Sequence, residues 1–454
     1  MKYISLFILL TALVTAQAQN ADSVFIKSLY NKALTEGKAY EDLRSLCKDV
    51  GARLSGSAEA DMAIKWGMNK LMSYNFDTVY LQEIEIPHWE RGSKEAAWIE
   101  TSKGEIIKLD ILALGGSVPT EGLITKDLVY FKDLNALKAA KKKDIEGKVV
   151  FINQAMDATQ ITTFKAYGMC WPMRGLGAVE ASKKGATAVV IRSLGLPQDD
   201  HPHTGSMVYK DDVEKIPAAA LSTNSANLLA ERLQEETLQI SLQLNCRTLP
   251  NRKSFNVIAE MWGNENKDEI ITFGGHLDSW DVGEGAHDDG AGIVHAMEAL
   301  RLLKEANYQP KHTLRCVFFM NEENGNMGGK TYANWTFERG EKQIAAIESD
   351  RGGFAPRGFS CDGSADHISW LKSLAPVLKP YELHKFEKGY GGVDINPLKE
   401  NYPDIALFGF VPDSQRYFDF HHTADDVFEN VHKRELELGC ASMAAFLFLI
   451  DQGF

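Results

Sequence analysis

The order of apolar and polar residues divides the chain into three consecutive parts, and the first part, residues 19–109, is predicted to be helical and then extended. After Ser57, a residue type that caps helices, apolar residues recur at the spacing of an amphipathic helix: Ala60, Ile64, Met68 and Leu71. The segment VYLQEIEIPHW, residues 79–89, alternates as a strand does. This part is predicted to pack on the third part, and the glycine-containing segment GARLSGS, residues 51–57, is predicted to be a loop between helices.

The second part, residues 110–251, contains short strand patterns separated by helices and polar loops: KVVFI at 148–152, ATAVVI at 186–191 and IPAAALS at 216–222. It shows no cluster of histidine and carboxylate residues with the spacing of metal ligands. HPHTG, residues 201–205, is interpreted as a polar surface loop rather than a metal site. We therefore predict a smaller, inserted, β-rich domain that carries no catalytic residues.

The third part, residues 252–454, alternates strand and helix, which predicts an α/β domain with a doubly wound mixed sheet. Its strand patterns are EIITF, LRCVFFM, AAIE and ALFGFV. In open α/β sheets, ligands bind beyond the carboxyl ends of the strands. Every candidate metal ligand described below follows such a strand, so we predict that these residues share one site.

Residues 1–18 have the features of a secretory signal peptide, with Lys2, an apolar core from Ile4 to Val14, and small residues at Ala16 and Ala18. We therefore expect a protein exported to the periplasm or secreted. The apolar core is shorter than the roughly 20 residues that span a bilayer, and we expect no later segment to be long enough.

Composition excludes several classes of partner. The chain is 44% hydrophobic and 24% charged, as is ordinary for a soluble globular protein, and its net charge of −13 argues against nucleic acid and membranes as partners. Six scattered cysteines without a CxxC pair disfavour a cysteine zinc site, and their pairing is left open.

Residues 273–292, FGGHLDSWDVGEGAHDDGAG, carry most of the candidate chemistry. Imidazole and carboxylate groups are ligands of divalent metals such as zinc. Taken singly, each such residue is more often a surface or capping group, but their joint occurrence after successive strands favours a metal centre. The candidates are His276, Asp278, Asp288, Glu322, Glu323, Asp350 and His422.

These residues can be assigned to a two-metal hydrolytic site. Two metals about 3.5–4 Å apart need a bridging group, and Asp288 can supply one oxygen to each. His276 and Asp350 would complete one site, and Glu323 and His422 the other. Because five ligands suffice, Glu322 is free to act as the general base on a shared water, and we expect Asp278 to hydrogen-bond the imidazole of His276.

The motifs GGHLDSWDVGEGAHDDGAG, NEEN, IESD and HHTADD resemble those of the co-catalytic di-zinc exopeptidase family, in the branch of carboxypeptidase Q (plasma glutamate carboxypeptidase). The resemblance extends to GARLSGS, PHWERG, HTG and GGVDINPL, and thus over nearly the whole chain after the leader. It implies two zinc ions, a bridging aspartate at Asp288, a glutamate base at Glu322, and action on dipeptides or short peptides, often as homodimers. EGKVVFI and KKGATAVVI make the second part similar to a protease-associated domain.

Arg351 departs from this resemblance, because a small residue is expected after Asp350. Its cation could bind a substrate carboxylate or pair with a nearby acid, and the sequence favours neither. An aminopeptidase on longer peptides, a glutaminyl cyclase and an inactive scaffold are the alternative functions. The sequence also leaves open which free terminus of the peptide is recognised.

Overall fold

The computed structural model describes residues 22–454, so the signal peptide predicted at residues 1–18 lies outside the described residues. The described residues form two eight-stranded sheets. The strands of the first sheet are β1 (Thr78–Glu90), β10 (Arg247–Met261), β11 (Asn266–His276), β12 (His312–Phe319), β13 (Lys342–Glu348), β14 (Pro356–Asp362), β15 (Lys385–Lys388) and β16 (Ala406–Pro412). Their order across the sheet is β1-β10-β12-β11-β13-β16-β14-β15.

The centre of the first sheet is parallel and its flanks are antiparallel. Strands β12, β11, β13 and β16 run parallel, whereas β1 pairs antiparallel with β10, β10 with β12, and β14 with β16. Alternate residues of β12 enter different cores: Phe318 packs on one face of the sheet and Phe319 on the other. Both faces are therefore covered, and the prediction of a doubly wound mixed α/β sheet is confirmed.

Helices cover both faces of this sheet. On one face lie residues 22–36 (α1) with α2 (Ala39–Ser45), α3 (Ala58–Ser73), α7 (Ala291–Glu305), α9 (Ala365–Ser373), α10 (Ala375–Leu378) and α13 (Lys433–Gly453). The other face is covered by α8 (Met327–Glu338) and α11 (Leu398–Asn401). The prediction for α3 is confirmed, because the Ser57 hydroxyl accepts a hydrogen bond from the backbone N–H of Ala60 at 3.0 Å.

Helix α13 is long and apolar enough to cross a membrane by length and composition alone, which differs from the expectation that no later segment would be. In the structure, however, 83% of its most apolar 18-residue window is buried inside the protein. It packs along α7 in the core of the first sheet. Its apolar character is thus that of a core helix.

The second sheet is formed by the chain between β1 and β10, two strands that pair with each other. Its strands are β2 (Ala96–Glu100), β3 (Ile106–Leu109), β4 (Ile111–Ala113), β5 (Ile124–Phe131), β6 (Val149–Ile152), β7 (Ala188–Arg192), β8 (Ala218–Leu221) and β9 (Gln239–Gln243). Their order across the sheet is β3-β2-β9-β5-β6-β7-β8-β4. Helices α4 (Leu134–Ala139), α5 (Thr163–Ser182) and α6 (Thr223–Glu235) accompany it, and a short helix α12 (Tyr417–Phe420) contacts α5.

The second sheet begins before residue 110, where the sequence placed the start of the second part. Strands β2 and β3 belong to it because β2 pairs with β9. All six cysteines of the chain are buried and none forms a disulfide.

Candidate metal centre

The carboxyl ends of four neighbouring strands of the first sheet bring the candidate ligands together. His276 is the last residue of β11, and Glu323 lies shortly after the end of β12. Asp350 follows β13, and His422 lies in the loop after β16. Asp288 lies in the turn just before α7. The strand-end argument from the sequence therefore holds for each of these positions.

Asp288 lies between two groups of side chains. Its Oδ1 is 3.3 Å from Nε2 of His276, and that nitrogen is 3.6 Å from Oδ1 of Asp350. Its Oδ2 is 3.2 Å from Nε2 of His422, which is 3.1 Å from Oε2 of Glu323. Each carboxylate oxygen of Asp288 thus faces a different imidazole, which is the arrangement that a bridging ligand needs.

Several of these atoms are buried without a hydrogen bond. They are His276 Nε2, Asp288 Oδ2, Glu323 Oε1 and Asp350 Oδ1. Because buried polar atoms are normally hydrogen-bonded, such orphaned atoms indicate a missing ligand. Imidazole nitrogen and carboxylate oxygen are the donors that zinc prefers, so the residues fit a pair of divalent metal ions.

The electrostatics of the site also favour bound cations. Burial, together with the charge of Asp288, raises the pKa of Glu323 to about 7. Burial disfavours the charged imidazole of His422, but the carboxylates of Glu323 and Asp288 outweigh it and raise the pKa of His422 to about 9. The pocket is therefore strongly negative, and positive charge placed there is stabilised.

His421 is an imidazole that the predicted ligand set does not use. Its ring stacks on that of His422 at 3.5 Å between centroids, and its Nε2 lies 3.6 Å from Oδ2 of Asp288. His422 Nε2 lies within 3.2 Å of both Glu323 and Asp288, whereas the ion-pair contact of His421 is to Asp288 alone and is longer, at 3.6 Å, although His421 is also near enough to join Asp288 and His422 around a metal ion. This difference in reach favours His422 as the ligand.

The contacts of Asp278 differ from those expected. Nδ1 of His276 donates to the backbone carbonyl of Asp278 at 2.9 Å, and the carboxylate is 3.8 Å away. That carboxylate instead accepts the backbone N–H groups of Asn321 at 2.7 Å and Glu322 at 3.1 Å. Both amide groups donate to the same oxygen, Oδ1 of Asp278, so this carboxylate is engaged by the main chain rather than by the imidazole. Residue 278 therefore orients His276 through its main chain and the segment of Glu322 through its side chain.

Glu322 lines the same cavity as Asp288 and Glu323. Burial raises its pKa well above the ordinary value for glutamate, and the neighbouring carboxylates of Glu323 and Asp350 raise it further. A carboxylate with a raised pKa beside the metal ligands has the properties of a proton acceptor in a hydrolytic site.

Two aspartates that the sequence interpretation passed over hold the main chain of the site. Asp289, joined to Asp288 by a cis peptide bond, accepts the backbone N–H of His276 at 3.0 Å and that of Gly292 at 3.1 Å. Asp426 accepts the N–H of His287 at 2.7 Å and that of Asp288 at 3.1 Å. Each is the second aspartate of an Asp-Asp pair, and that doublet was the only sequence signal for them.

Arg53, in the first part of the chain, supports residues 277–285. This segment is called the metal-binding loop below because it connects the predicted ligands His276 and Asp288. Its side chain is buried, and its guanidinium donates to the backbone carbonyls of Leu277 at 2.6 Å, Glu284 at 2.6 Å and Gly285 at 3.0 Å. The segment GARLSGS is therefore more than a connecting loop. The sequence carried no sign of this role, because the partners belong to a distant part of the chain.

The interpretation of HPHTG as a surface loop is wrong for its last three residues. His203 and Thr204 are buried, and Thr204 contacts His422 twice. Its N–H donates to the carbonyl of His422 at 3.0 Å, and its carbonyl faces Nδ1 of the imidazole at 3.2 Å. This contact fixes the ring so that Nε2 points to the carboxylates. The second part of the chain thus orients a predicted ligand.

A cavity of about 570 Å³ opens onto these residues, and its walls are formed by the second and the third part of the chain. Helix α5 contributes Phe164, Tyr167, Trp171 and Arg174. Arg174 is buried, packs on the ring of Tyr167 and has no carboxylate within 4.0 Å among the described residues. The second part, which was predicted to carry no catalytic residues, therefore contributes side chains to the cavity wall.

Arg351 and the loop of Tyr390 also line the cavity. A nitrogen of Arg351, Nη2, donates to the carbonyl of Tyr390 at 3.1 Å, and its guanidinium lies 5.7 Å from the centre of the Phe164 ring. The carboxylate of Glu348 fixes the following turn by accepting the N–H groups of Val393, Asp394 and Ile395 at 2.8, 2.8 and 3.0 Å.

Comparisons with known proteins extend over both sheets. Residues 256–446 match the model of Peptidase family M28. Carboxypeptidase Q of Xenopus laevis is 35% identical over 417 residues, which cover 89% of this chain and 84% of the relative. A solved Peptidase M28 precursor from Shewanella amazonensis has a TM-score of 0.90 at 33% identity and covers 95% of this chain and 97% of its own. A zinc aminopeptidase from Bacillus subtilis, 20% identical, shares the fold with a TM-score of 0.63 and covers 90% of this chain and 94% of its own.

Proposed function

This chain belongs to peptidase family M28 and is a metallopeptidase, and from that premise we propose that it is an exported, zinc-dependent exopeptidase that hydrolyses dipeptides or short peptides with two zinc ions. The observation that carries the proposal is the position of Asp288, whose two oxygens face His276 and His422 at 3.3 and 3.2 Å. The carboxypeptidase Q relative and the zinc aminopeptidase from Bacillus subtilis support the reaction class and the metal.

The five predicted ligands divide into two sets that share one residue. His276 and Asp350 would hold one zinc ion with Asp288, and Glu323 and His422 would hold the other with the same aspartate. When bound, zinc supplies Lewis-acid chemistry, because it polarises a carbonyl group and acidifies water. The three-residue sets leave positions open for water and substrate.

Glu322 is proposed to move the proton in the reaction. Its carboxylate lines the cavity, and burial keeps its pKa raised, so it readily accepts the proton of the attacking water. It would then return that proton to the leaving amine as the peptide bond breaks. Asp278 holds the backbone N–H of Glu322 at 3.1 Å and so fixes the base relative to His276.

The size of the cavity supports short substrates. Its volume of about 570 Å³ falls within the range of sites that bind small molecules, roughly 300–1,000 Å³. Aromatic side chains of Phe164, Trp171 and Tyr390 line it and can pack on the side chains of a dipeptide. Aminopeptidase action on longer peptides is the alternative, and peptides with a blocked amino or a blocked carboxyl end distinguish the two.

The test of the mechanism is the variant Glu322→Gln. We expect two zinc ions per chain by elemental analysis in both proteins, and a loss of dipeptide turnover of about 10²–10⁴-fold, the usual contribution of a general base. Glu338→Gln, at an exposed position at the end of α8, is the matched control and should retain full activity. Undiminished turnover by Glu322→Gln would refute the assignment of the base.

Export and assembly are part of the proposal. Cleavage after Ala18 would leave a mature chain that begins at Gln19, and mass spectrometry of protein recovered outside the cytoplasm detects that end. We also propose a homodimer, which sedimentation equilibrium distinguishes from a monomer.

A further inference from the structure

Arg351 is placed at the cavity by its neighbour Asp350. Because the two residues are consecutive, the backbone of Arg351 lies directly beside that of a predicted metal ligand. Its side chain lines the cavity, and Nη2 donates to the carbonyl of Tyr390 at 3.1 Å. The ring of Phe164 lies 5.7 Å from the guanidinium on the side of helix α5. A backbone carbonyl and an aromatic ring thus hold this cation in a defined position.

The charge of Arg351 has no direct counterion among residues 22–454. No carboxylate oxygen lies within 4.0 Å of its nitrogens, whereas several other arginines among these residues pair closely with acids. Arg91 is 2.6 Å from Asp281, and Arg315 is 2.6 Å from Glu341. The adjacent carboxylate of Asp350 is turned toward His276. Of the two roles left open by the sequence, pairing with a nearby acid is therefore not what the structure shows.

The surroundings explain why a cation is useful at this position. The inner cavity is lined by the carboxylates of Asp288, Glu322, Glu323, Glu348 and Asp350. Zinc ions would offset part of this charge at the ligands, but a negatively charged group of a peptide substrate still needs a cation of its own. Arginine offers a planar fork of donors that matches a carboxylate, and a fork already held by other groups loses little entropy when it binds.

We propose that Arg351 binds a carboxylate of the peptide substrate and thereby determines which peptides the site accepts. This inference rests on the proposed exopeptidase function. The carboxylate comes either from the carboxyl terminus of the peptide or from an acidic side chain, and both present the same planar group to the guanidinium.

The experiment compares Arg351→Gln with the unaltered protein on matched dipeptides. Ala-Leu and Ala-Leu amide differ only in the terminal carboxylate, whereas Ala-Glu with Ala-Gln and Glu-Ala with Gln-Ala differ only in the side chain. We expect kcat/KM to fall about 10- to 100-fold for the peptides that carry the recognised carboxylate, mainly through KM. Their neutral counterparts should change little. Arg351→Lys should restore part of the loss, because it keeps the charge without the fork.

Each outcome decides the question. A loss on every peptide with a free carboxyl terminus, but not on Ala-Leu amide, assigns the terminal carboxylate. A loss confined to Ala-Glu or Glu-Ala assigns the carboxylate of the side chain. An equal loss on all peptides, or no loss, overturns the inference. Arg357→Gln, which removes a guanidinium paired with Asp413 at 3.2 Å, is the matched control.

A binding measurement separates this inference from the proposed function. Calorimetry with zinc-loaded Glu322→Gln, with and without Arg351→Gln, gives dissociation constants for the same peptides without turnover. Selectively weaker binding of the peptides with the recognised carboxylate supports the role of Arg351 even if the unaltered protein hydrolyses none of them. That lack of hydrolysis would refute only the proposed function. If the unaltered protein hydrolyses the peptides and Arg351→Gln changes neither their binding nor their turnover, only the present inference is refuted.

Discussion

Replacing Arg53 with methionine should loosen the metal-binding loop while keeping most of the buried volume. The guanidinium bonds the carbonyls of Leu277, Glu284 and Gly285, at distances of 2.6–3.0 Å, in a buried region. Each buried acceptor left without a donor costs about 1–3 kcal/mol. Three such carbonyls give an expected loss of roughly 3–9 kcal/mol in the free energy of unfolding, toward the lower end where water replaces the guanidinium.

The same change should weaken metal binding, because residues 277–285 lead from His276 to Asp288. Loss of a group that orients metal ligands typically lowers metal affinity about 10- to 100-fold. Urea unfolding measures the first effect and competition with a chelator the second. Arg247→Met is the control: this arginine is 64% exposed, pairs with Glu90, and should contribute less than about 1 kcal/mol. An Arg53→Met protein with unchanged stability and zinc affinity would show that the metal-binding loop keeps its conformation without the guanidinium of Arg53.

Two further changes test other supports of the structure. Gly205→Ala places a Cβ 2.3 Å from Nη1 of Arg174 and 2.8 Å from Nδ1 of His422, at a φ of +132°, so elemental analysis should show reduced occupancy of the metal site that contains His422. Gly104→Ala is the control, because Gly104 also has a positive φ, +77°, but has no neighbour within 4 Å. Equal losses of metal in both variants would contradict a local effect. Burial and the nearby Glu298 raise the pKa of Glu437 to about 7, so its ionisation between pH 5 and pH 8 costs the folded state up to about 3 kcal/mol. Glu437→Gln should therefore stabilise the protein at pH 8 and much less at pH 5, and an equal effect in urea unfolding at both pH values would contradict the assignment.

The sequence predicted the site best where residue type and strand position agree. His276 and Asp350 could be placed because one ends a buried strand and the other follows one, and parallel strands end at one edge of a sheet. Glu323 and His422 follow the same rule. Periodicity also located helix α3, which buries one face, and short apolar runs located β6, β7 and β8 of the second sheet, which are buried at every residue.

Contacts between distant segments could not be predicted in this way. Thr204 and Arg53 act through hydrogen bonds to residues far away along the chain, and their own residue types carry no sign of it. Asp278 was assigned to the imidazole because sequence spacing shows proximity but not which of two acceptors on a residue faces the donor. Strand β2 lay on the wrong side of the predicted boundary because its partner, β9, comes at the far end of the second part.

The metal-binding loop is held by Arg53 and by the second sheet, which explains why the second part of the chain matters to a site whose predicted ligands lie at or beyond the ends of strands in the first sheet. Trp280 of this loop is buried in the core of the second sheet, packs against Trp89 and lies 5.7 Å from the ring of His422. Gly115 permits this, because a Cβ there would lie 1.9 Å from the indole. With Arg53 holding the other side of the loop, displacement of the second part would move both the loop that precedes Asp288 and the carbonyl that orients His422. The geometry of the candidate metal centre therefore depends on how the two sheets dock.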